Sequence, residues 1–157
     1  MAKPTLWKKG RGKLGIFAPL LGAWVAEADS PQGPVRCVRT FSRALAGTYV
    51  RLEAVWTFGD TVYEELALFG RDHDKEVRFW SFTSDGKQAS GVLADASEIH
   101  PEAVGFEAQM DAGLARQVYW PDGEGGFYWI VESRRKDGWN RFVEHRYRPL
   151  AQDDPAG

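Results

Sequence analysis

The feature that most constrains the fold of this chain is an alternation of apolar and polar residues that recurs along most of its length. The alternation is clearest between residues 50 and 58, where every second residue is apolar while Arg51 and Glu53 stand between them. Successive side chains of a β-strand point to opposite faces, so a period of two predicts a half-buried strand. Such runs recur at intervals of about 8–12 residues, which is typical of an all-β barrel or sandwich.

Ten strands are predicted, separated by turns rich in Gly, Pro and Asp. The predicted strands are 23–28, 35–45, 48–58, 62–70, 77–83, 88–94, 104–110, 114–120, 127–134 and 139–148. Ser84-Asp85-Gly86 and Lys136-Asp137-Gly138 indicate tight hairpins. Sequential hairpins protect their sheet edges best by closing on themselves. We therefore predict an all-β fold, a single antiparallel up-and-down β-barrel of about 8–10 strands with a short N-terminal helix; an open sandwich is the alternative.

The 157 residues suit one domain, and no stretch has the composition of an interdomain linker. We expect a basic N-terminal lead-in over 1–13 and a lipocalin-like β-barrel over 14–150. The apolar segment 14–21 at its start is read as the short helix or turn. The polar tail 151–157 is predicted to be disordered.

Composition and charge exclude several classes of protein. The net charge is −2, with acidic and basic residues interspersed, which argues against a nucleic-acid partner. Cys37 is the only cysteine, so neither an internal disulfide nor a cysteine zinc cluster is possible. No apolar run reaches the ~18 residues of a membrane span. We expect a cytoplasmic protein without a membrane partner; the alternative is export, if residues 1–28 are a signal peptide.

The segment Leu20-Leu21-Gly22-Ala23-Trp24 places a Gly-x-Trp motif after an apolar turn, at the head of the first strand. In this respect the chain resembles the calycin superfamily. Its layout is similar to bacterial lipocalin-like domains of unknown function and, more loosely, to nitrobindin. Further shared features are the strand entry Gly47-Thr48-Tyr49-Val50, an aromatic hairpin near Trp80 and a last strand that ends in Tyr147-Arg148.

The resemblance implies a structural signature at the closed end of the barrel. In the family the tryptophan of the motif packs at that end, and a basic side chain from the last strand lies against it. Gly22 and Trp24 match the motif here, and Arg146 or Arg148 is expected to supply the basic side chain, since a cation is attracted to an indole face.

A barrel of this size can hold one small ligand among aromatic and a few polar side chains. The sequence leaves open which polar residues face inward. An internal Arg–Tyr pair would favour a carboxylate or phosphate ligand, because guanidinium binds such groups through two hydrogen bonds. The candidate ligand-binding residues are Tyr49, Arg51, Arg78, Arg141, His145 and Tyr147. We expect the interior to bind a small apolar or carboxylate-bearing molecule, without a cofactor.

His145 raises an alternative function. Alternation places it on the same strand face as Arg141, Val143 and Tyr147. The resemblance to nitrobindin implies a haem-binding protein with His145 as the axial ligand, and imidazole is a suitable ligand of haem iron. Otherwise His145 hydrogen-bonds within the barrel wall or faces solvent. Apart from haem iron we expect no metal site, because His73 lies in a charged turn whose adjacent residues cannot all face one ion.

No catalytic signature is present, and we favour a protein that is not an enzyme. The chain has no Gly-x-Ser-x-Gly elbow and no phosphate-binding glycine loop. Glu64 and Glu65 are adjacent in a strand and face opposite sides, so they cannot act as an acid–base pair. Cys37 is predicted to be a buried small residue. A non-catalytic protein-interaction module remains an alternative, for example a homodimer that pairs exposed tryptophans such as Trp7 or Trp120.

Overall fold

The computed structural model describes residues 7–151, and within them ten antiparallel strands form a closed barrel. A 3-10 helix, Lys13–Leu20, precedes the strands. The strands are β1 (Gly22–Ser30), β2 (Gly33–Ala44), β3 (Tyr49–Phe58), β4 (Thr61–Arg71), β5 (Val77–Thr83), β6 (Gln88–Ala94), β7 (Val104–Met110), β8 (Gly113–Pro121), β9 (Phe127–Arg135) and β10 (Gly138–Pro149). Each strand pairs with the next, and β10 pairs with β1.

The predicted up-and-down barrel is confirmed, and closure through β1 and β10 excludes the open sandwich. Every predicted strand begins and ends within two residues of an observed one. Residues 1–6 of the predicted lead-in and residues 152–157 of the predicted tail lie outside the described residues. No helix within 7–151 has the length and apolar character that a membrane crossing requires.

The N-terminal helix closes one end of the barrel. Phe17 and Leu20 on this helix are fully buried. The Phe17 ring lies 4.7 Å from the ring of Phe69 and 6.0 Å from that of Phe106 (centroid distances). Such aromatic pairs contribute beyond the area they bury. We call this the closed end; the hairpin turns that follow β1, β3, β5, β7 and β9 lie at the opposite, open end.

The Gly-x-Trp motif lies at the closed end, as the resemblance implies. Trp24 Nε1 donates a hydrogen bond of 2.7 Å to the carbonyl oxygen of Leu20, and its ring packs edge-on against Phe127. Trp24 therefore ties the helix to β1. Arg146 lies over the ring of Tyr128, at 5.5 Å, rather than over Trp24. Arg148 forms an ion pair of 3.6 Å with Glu27.

Strand register determines which side chains face the interior. The apolar face of β3, with Leu52 and Ala54, is buried in the core as its alternation predicts. In β10 the register shifts between Arg141 and Val143, where a β-bulge inserts one extra residue. Because of this extra residue, the residues before the bulge point to the opposite side of the sheet from the one that simple alternation predicts. Arg141 therefore lies on the outer wall, and the prediction that it shares a face with Val143 and His145 is wrong.

Candidate ligand-binding site

The interior is hollow towards the open end. A cavity of about 390 Å³ lies there, within the range of roughly 300–1,000 Å³ usual for small-molecule sites. Its wall is mostly apolar and includes Phe79, Ala89, Phe106, Ala108, Trp129 and Val131. Glu65, Ser81 and Gln117 add polar side chains. A cavity with this lining suits an apolar or aromatic molecule with a polar group.

Arg39 is fully buried and lies against Trp129, one of the residues that line this cavity. It projects inward from β2, in phase with Cys37 and Phe41, which both belong to the core. Its Nη1 donates a hydrogen bond of 2.5 Å to the hydroxyl of Tyr119. Its Cζ atom lies 4.2 Å from the centre of the Trp129 ring. Among residues 7–151, no carboxylate oxygen lies within 4.0 Å of the guanidinium, so this buried cation has no direct counterion.

Four buried side-chain polar atoms within residues 7–151 have no hydrogen-bond partner, and all belong to one cluster. They are Arg39 Nε, Arg39 Nη2, His145 Nδ1 and the Tyr147 hydroxyl. Arg39 Cζ lies 5.3 Å from the centre of the Tyr147 ring, and the His145 and Tyr147 rings are 6.4 Å apart. We call Arg39, Tyr119, His145 and Tyr147 the Arg39 cluster. Buried polar groups are nearly always paired, so this concentration of orphan atoms indicates a site for water or ligand.

Two indoles pack beside Arg39, and one of them, Trp129, also lines the cavity. The rings of Trp56 and Trp129 are 5.7 Å apart, and both lie within 6 Å of Arg39 Cζ. Trp129 Nε1 donates a hydrogen bond of 3.0 Å to Gln117 Oε1 on the cavity wall. Trp129 thus lines the cavity with one part of its surface and stacks on the guanidinium with another.

Burial determines the charge of the groups around Arg39. It raises the pKa of Tyr119 and of Tyr147, so both phenols stay protonated. Burial, followed by the charge of Arg39, lowers the pKa of His145, which favours a neutral imidazole. Burial acts to lower the pKa of Arg39, but Tyr119 and Tyr147 outweigh it and the net shift is upward. The guanidinium therefore remains charged.

Two further ionisable side chains belong to the same interior. Burial raises the pKa of the Cys37 thiol, against the opposing effect of Arg39, so the thiol stays protonated. Burial also raises the pKa of Glu65, and Arg39 offsets this in part. The Glu65 carboxyl is therefore a weaker acid in this interior than it would be in solvent.

The structure brings together two of the six candidate residues and places the other four on the outer wall. His145 and Tyr147 face the interior. The other four have partners outside: Tyr49 packs against Trp80, Arg51 pairs with Glu53, Arg78 pairs with Asp72, and Arg141 pairs with Glu132 and Glu144. The two tryptophans considered for a homodimer pack within the chain, Trp7 against Phe127 and Trp120 against Tyr128.

Sequence reasoning missed Arg39, Tyr119 and Glu65. A signal for Arg39 was present, because this residue occupies the apolar phase of its strand, between Cys37 and Phe41. Glu65 likewise lies in phase with Ala67 and Phe69. A charged residue at an apolar position of a barrel strand is the pattern that points to a polar interior site.

The residues around His145 do not fit a haem in this arrangement. The imidazole packs against the rings of Trp56 and Trp129, at 5.3 and 5.9 Å. A haem bound to His145 would have to displace these indoles, so we derive no chemistry through it. Within the described part of the chain, no three His, Cys, Asp or Glu side chains converge as metal ligands would.

A larger groove, of about 740 Å³, runs along the outer wall beside Phe82 and Met110. Trp129, which stacks on Arg39, lines the 390 Å³ cavity but not this groove. The groove therefore has no such link to the buried polar groups that could orient a ligand.

Comparison of the chain with models of protein families found no match, and comparison with curated protein sequences found no significant match. The closed barrel is compatible with a lipocalin-like fold.

Proposed function

We propose that this barrel binds a small organic anion, with a carboxylate-like head group at Arg39 and an apolar or aromatic body in the cavity. The observation that carries the proposal is the pair of orphan donors, Nε and Nη2, on a fully buried guanidinium without a counterion within residues 7–151. A buried charge is unfavourable unless it is paired and hydrogen-bonded. An anionic ligand would supply both requirements.

The geometry of the guanidinium favours a carboxylate. Nε and Nη2 lie on one edge of the group, where their N–H bonds are parallel, whereas Nη1 is occupied by Tyr119. Two parallel donors match the two oxygens of a carboxylate. The Tyr147 ring lies 5.3 Å from Arg39 Cζ, and the hydroxyl of Tyr147 also has no partner and would donate to the same head group.

The cavity suits the remainder of such a ligand. Its apolar wall would bury a chain or ring of moderate size, and burial of apolar surface supplies most of the affinity in sites of this kind. Trp129 lines the cavity and stacks on Arg39, which does not itself line the cavity. A head group from the cavity therefore reaches Arg39 when the Trp129 ring moves aside, which predicts that binding changes tryptophan fluorescence.

The test uses decanoate as the ligand and the displacement of a fluorescent anilinonaphthalene sulfonate as the readout. We expect saturable 1:1 binding that the Arg39→Met substitution weakens at least about tenfold, because hydrogen bonds to a charged group contribute roughly 1.5–3 kcal/mol. Arg51→Met is the matched control, since Arg51 lies on the outer wall and pairs with Glu53. Equal affinity in Arg39→Met and the unaltered protein would show that the orphan donors bind only water.

The haem alternative for His145 is disfavoured by the indoles packed against its imidazole, and it is tested separately. The purified protein is examined for a Soret band before and after addition of haemin. A Soret band that His145→Ala abolishes would support this function over the binding of an organic anion. A spectrum without such a band, together with decanoate binding, would support the first proposal.

A further inference from the structure

Glu65 is the one carboxylate among the described residues that line the cavity. It projects inward from β4, in phase with the buried Ala67 and Phe69. Within residues 7–151 it forms no ion pair and no side-chain hydrogen bond. Ala54 on β3 is paired with Arg39 on one side and with Glu65 on the other, so Glu65 and Arg39 lie at the same level of the barrel, one strand apart. The interior therefore contains one cation and one acid that influence each other without direct contact.

This arrangement limits the charge that the interior can accept. With Glu65 ionised, Arg39 and Glu65 balance each other. An anion bound at Arg39 adds a second negative charge close to Glu65, in surroundings of low dielectric constant. Two like charges in such a site do not both stay ionised, and the weaker acid takes up a proton.

We propose that Glu65 couples anion binding to the uptake of one proton, so that the interior selects monoanions such as carboxylates over dianions such as phosphate monoesters. This inference depends on the proposed function, since it concerns the same ligand. In the complex, a proton from solvent neutralises Glu65 and the ligand carboxylate pairs with Arg39. A dianion would leave one uncompensated negative charge even after Glu65 is protonated.

The other titratable groups that face the site do not change charge in the same range. Cys37 from β2, Tyr119 from β8 and Tyr147 from β10 have pKa values raised by burial and stay protonated. The pKa of His145 is lowered by burial and by Arg39, so its imidazole is neutral above its usual pKa. Burial has already raised the pKa of Glu65 in the free protein, which makes proton uptake on binding more favourable.

The experiment measures decanoate binding by calorimetry between about pH 6 and pH 9, where the ligand carboxyl stays ionised. We expect the affinity to fall as the pH rises, by up to about tenfold per pH unit above the pKa of Glu65 in the free protein. Measurements in two buffers of different ionisation enthalpy should show uptake of up to one proton per decanoate. This second readout needs no variant. Decyl phosphate should bind at least about tenfold more weakly at the upper end of the range.

The variant Glu65→Gln should remove both the pH dependence and the proton uptake, and at neutral pH it should bind decanoate at least as tightly as the unaltered protein. Glu64→Gln is the matched control, because Glu64 is adjacent in β4 but exposed on the outer wall. If the pH dependence of binding is lost in Glu65→Gln, it arises from Glu65 and not from His145, because this variant retains His145.

Three results would contradict the inference, and they differ in what else they overturn. Decanoate binding that depends on Arg39 but not on pH, or a pH dependence that survives in Glu65→Gln, would overturn the coupling and leave the proposed function intact. A protein that binds no decanoate at any pH would overturn the proposed function together with the coupling.

Discussion

The two ends of the barrel have the same alternating strands but opposite interiors. At the closed end, large aromatic side chains fill the space, and the ring of Phe69 lies 4.7 Å from that of Phe17 and 6.2 Å from that of Phe41 (centroid distances). Towards the open end, small residues such as Ala89 and Ala108 occupy the inward positions and leave a cavity. Inward side-chain size, rather than the alternation itself, therefore determines where this barrel is packed and where it is hollow.

The orphan polar atoms lie at the boundary between these regions. A fully packed interior would have favoured apolar residues at those positions, because an unpaired buried charge is destabilising. On the function proposed above, Arg39 at this boundary serves ligand binding rather than stability. Substitutions at the closed end should therefore mainly lower stability, whereas substitution of Arg39 should mainly affect binding.

The largest effect on stability is expected at the closed end. Phe17→Ala removes a fully buried ring from the helix and should lower the free energy of unfolding by about 3–5 kcal/mol. Phe142→Ala at the open end is the control, since Phe142 is 60% exposed and its loss should change stability by less than about 0.5 kcal/mol. Urea denaturation measures both. Similar losses in the two variants would contradict the contrast between the ends.

Two buried arginines should respond in opposite ways to replacement by methionine. Arg116 pairs on the outer wall with Glu132, at 2.7 Å, and Arg116→Met should cost about 3–5 kcal/mol because it leaves a buried carboxylate without this partner. Arg39 has no direct counterion among the described residues, so Arg39→Met should leave stability unchanged or raise it by roughly 1–4 kcal/mol. Thermal and urea denaturation compare them, and a large loss of stability in Arg39→Met would assign Arg39 a structural role.

A smaller effect is expected from the protonation of His145. Its pKa is lowered in the folded state, so its contribution to stability is present above the unfolded-state pKa of about 6.5 and is lost as the pH falls through the folded-state value. Glu65, whose pKa is raised, has the opposite effect, so the measurement is made in the Glu65→Gln background. There the free energy of unfolding, measured by urea denaturation between pH 7.5 and 5, should decrease on acidification with a slope of at most about 1.4 kcal/mol per pH unit.

His145→Gln should reduce that slope. His73→Gln is the matched control, because His73 is exposed in a turn beside Asp74. If the exposed His73 altered the slope as much as His145, the slope would not come from the interior.

Much of the fold could be predicted from the sequence because turns and alternation are local signals. All ten strands were found, and the apolar face of β3 was assigned correctly. The predicted orientation of Arg141 was wrong because a bulge at residue 142 reverses the side to which Arg141 points without changing the apolar pattern of the sequence. Bulges depend on pairing between strands, which a single strand does not reveal.

The site was predicted only in part, for a related reason. Tyr147 and His145 were identified as inward candidates, but Arg39 was not. Arg39 shares a face with Cys37, yet the opposite face of the strand also carries an apolar residue, Val38, and this weakens the signal that one face is internal. Only closure of the barrel determines which face is internal. The orphan state of the Arg39 donors depends on tertiary packing and has no local sequence signal.

The most direct test of the account is a high-resolution crystal structure of the protein with decanoate. We predict carboxylate oxygens within hydrogen-bond distance of Arg39 Nε and Nη2, an alkyl chain in the cavity and a displaced Trp56 or Trp129 ring. A structure in which this edge of the guanidinium binds only water, while decanoate is absent from the interior, would contradict the central claim.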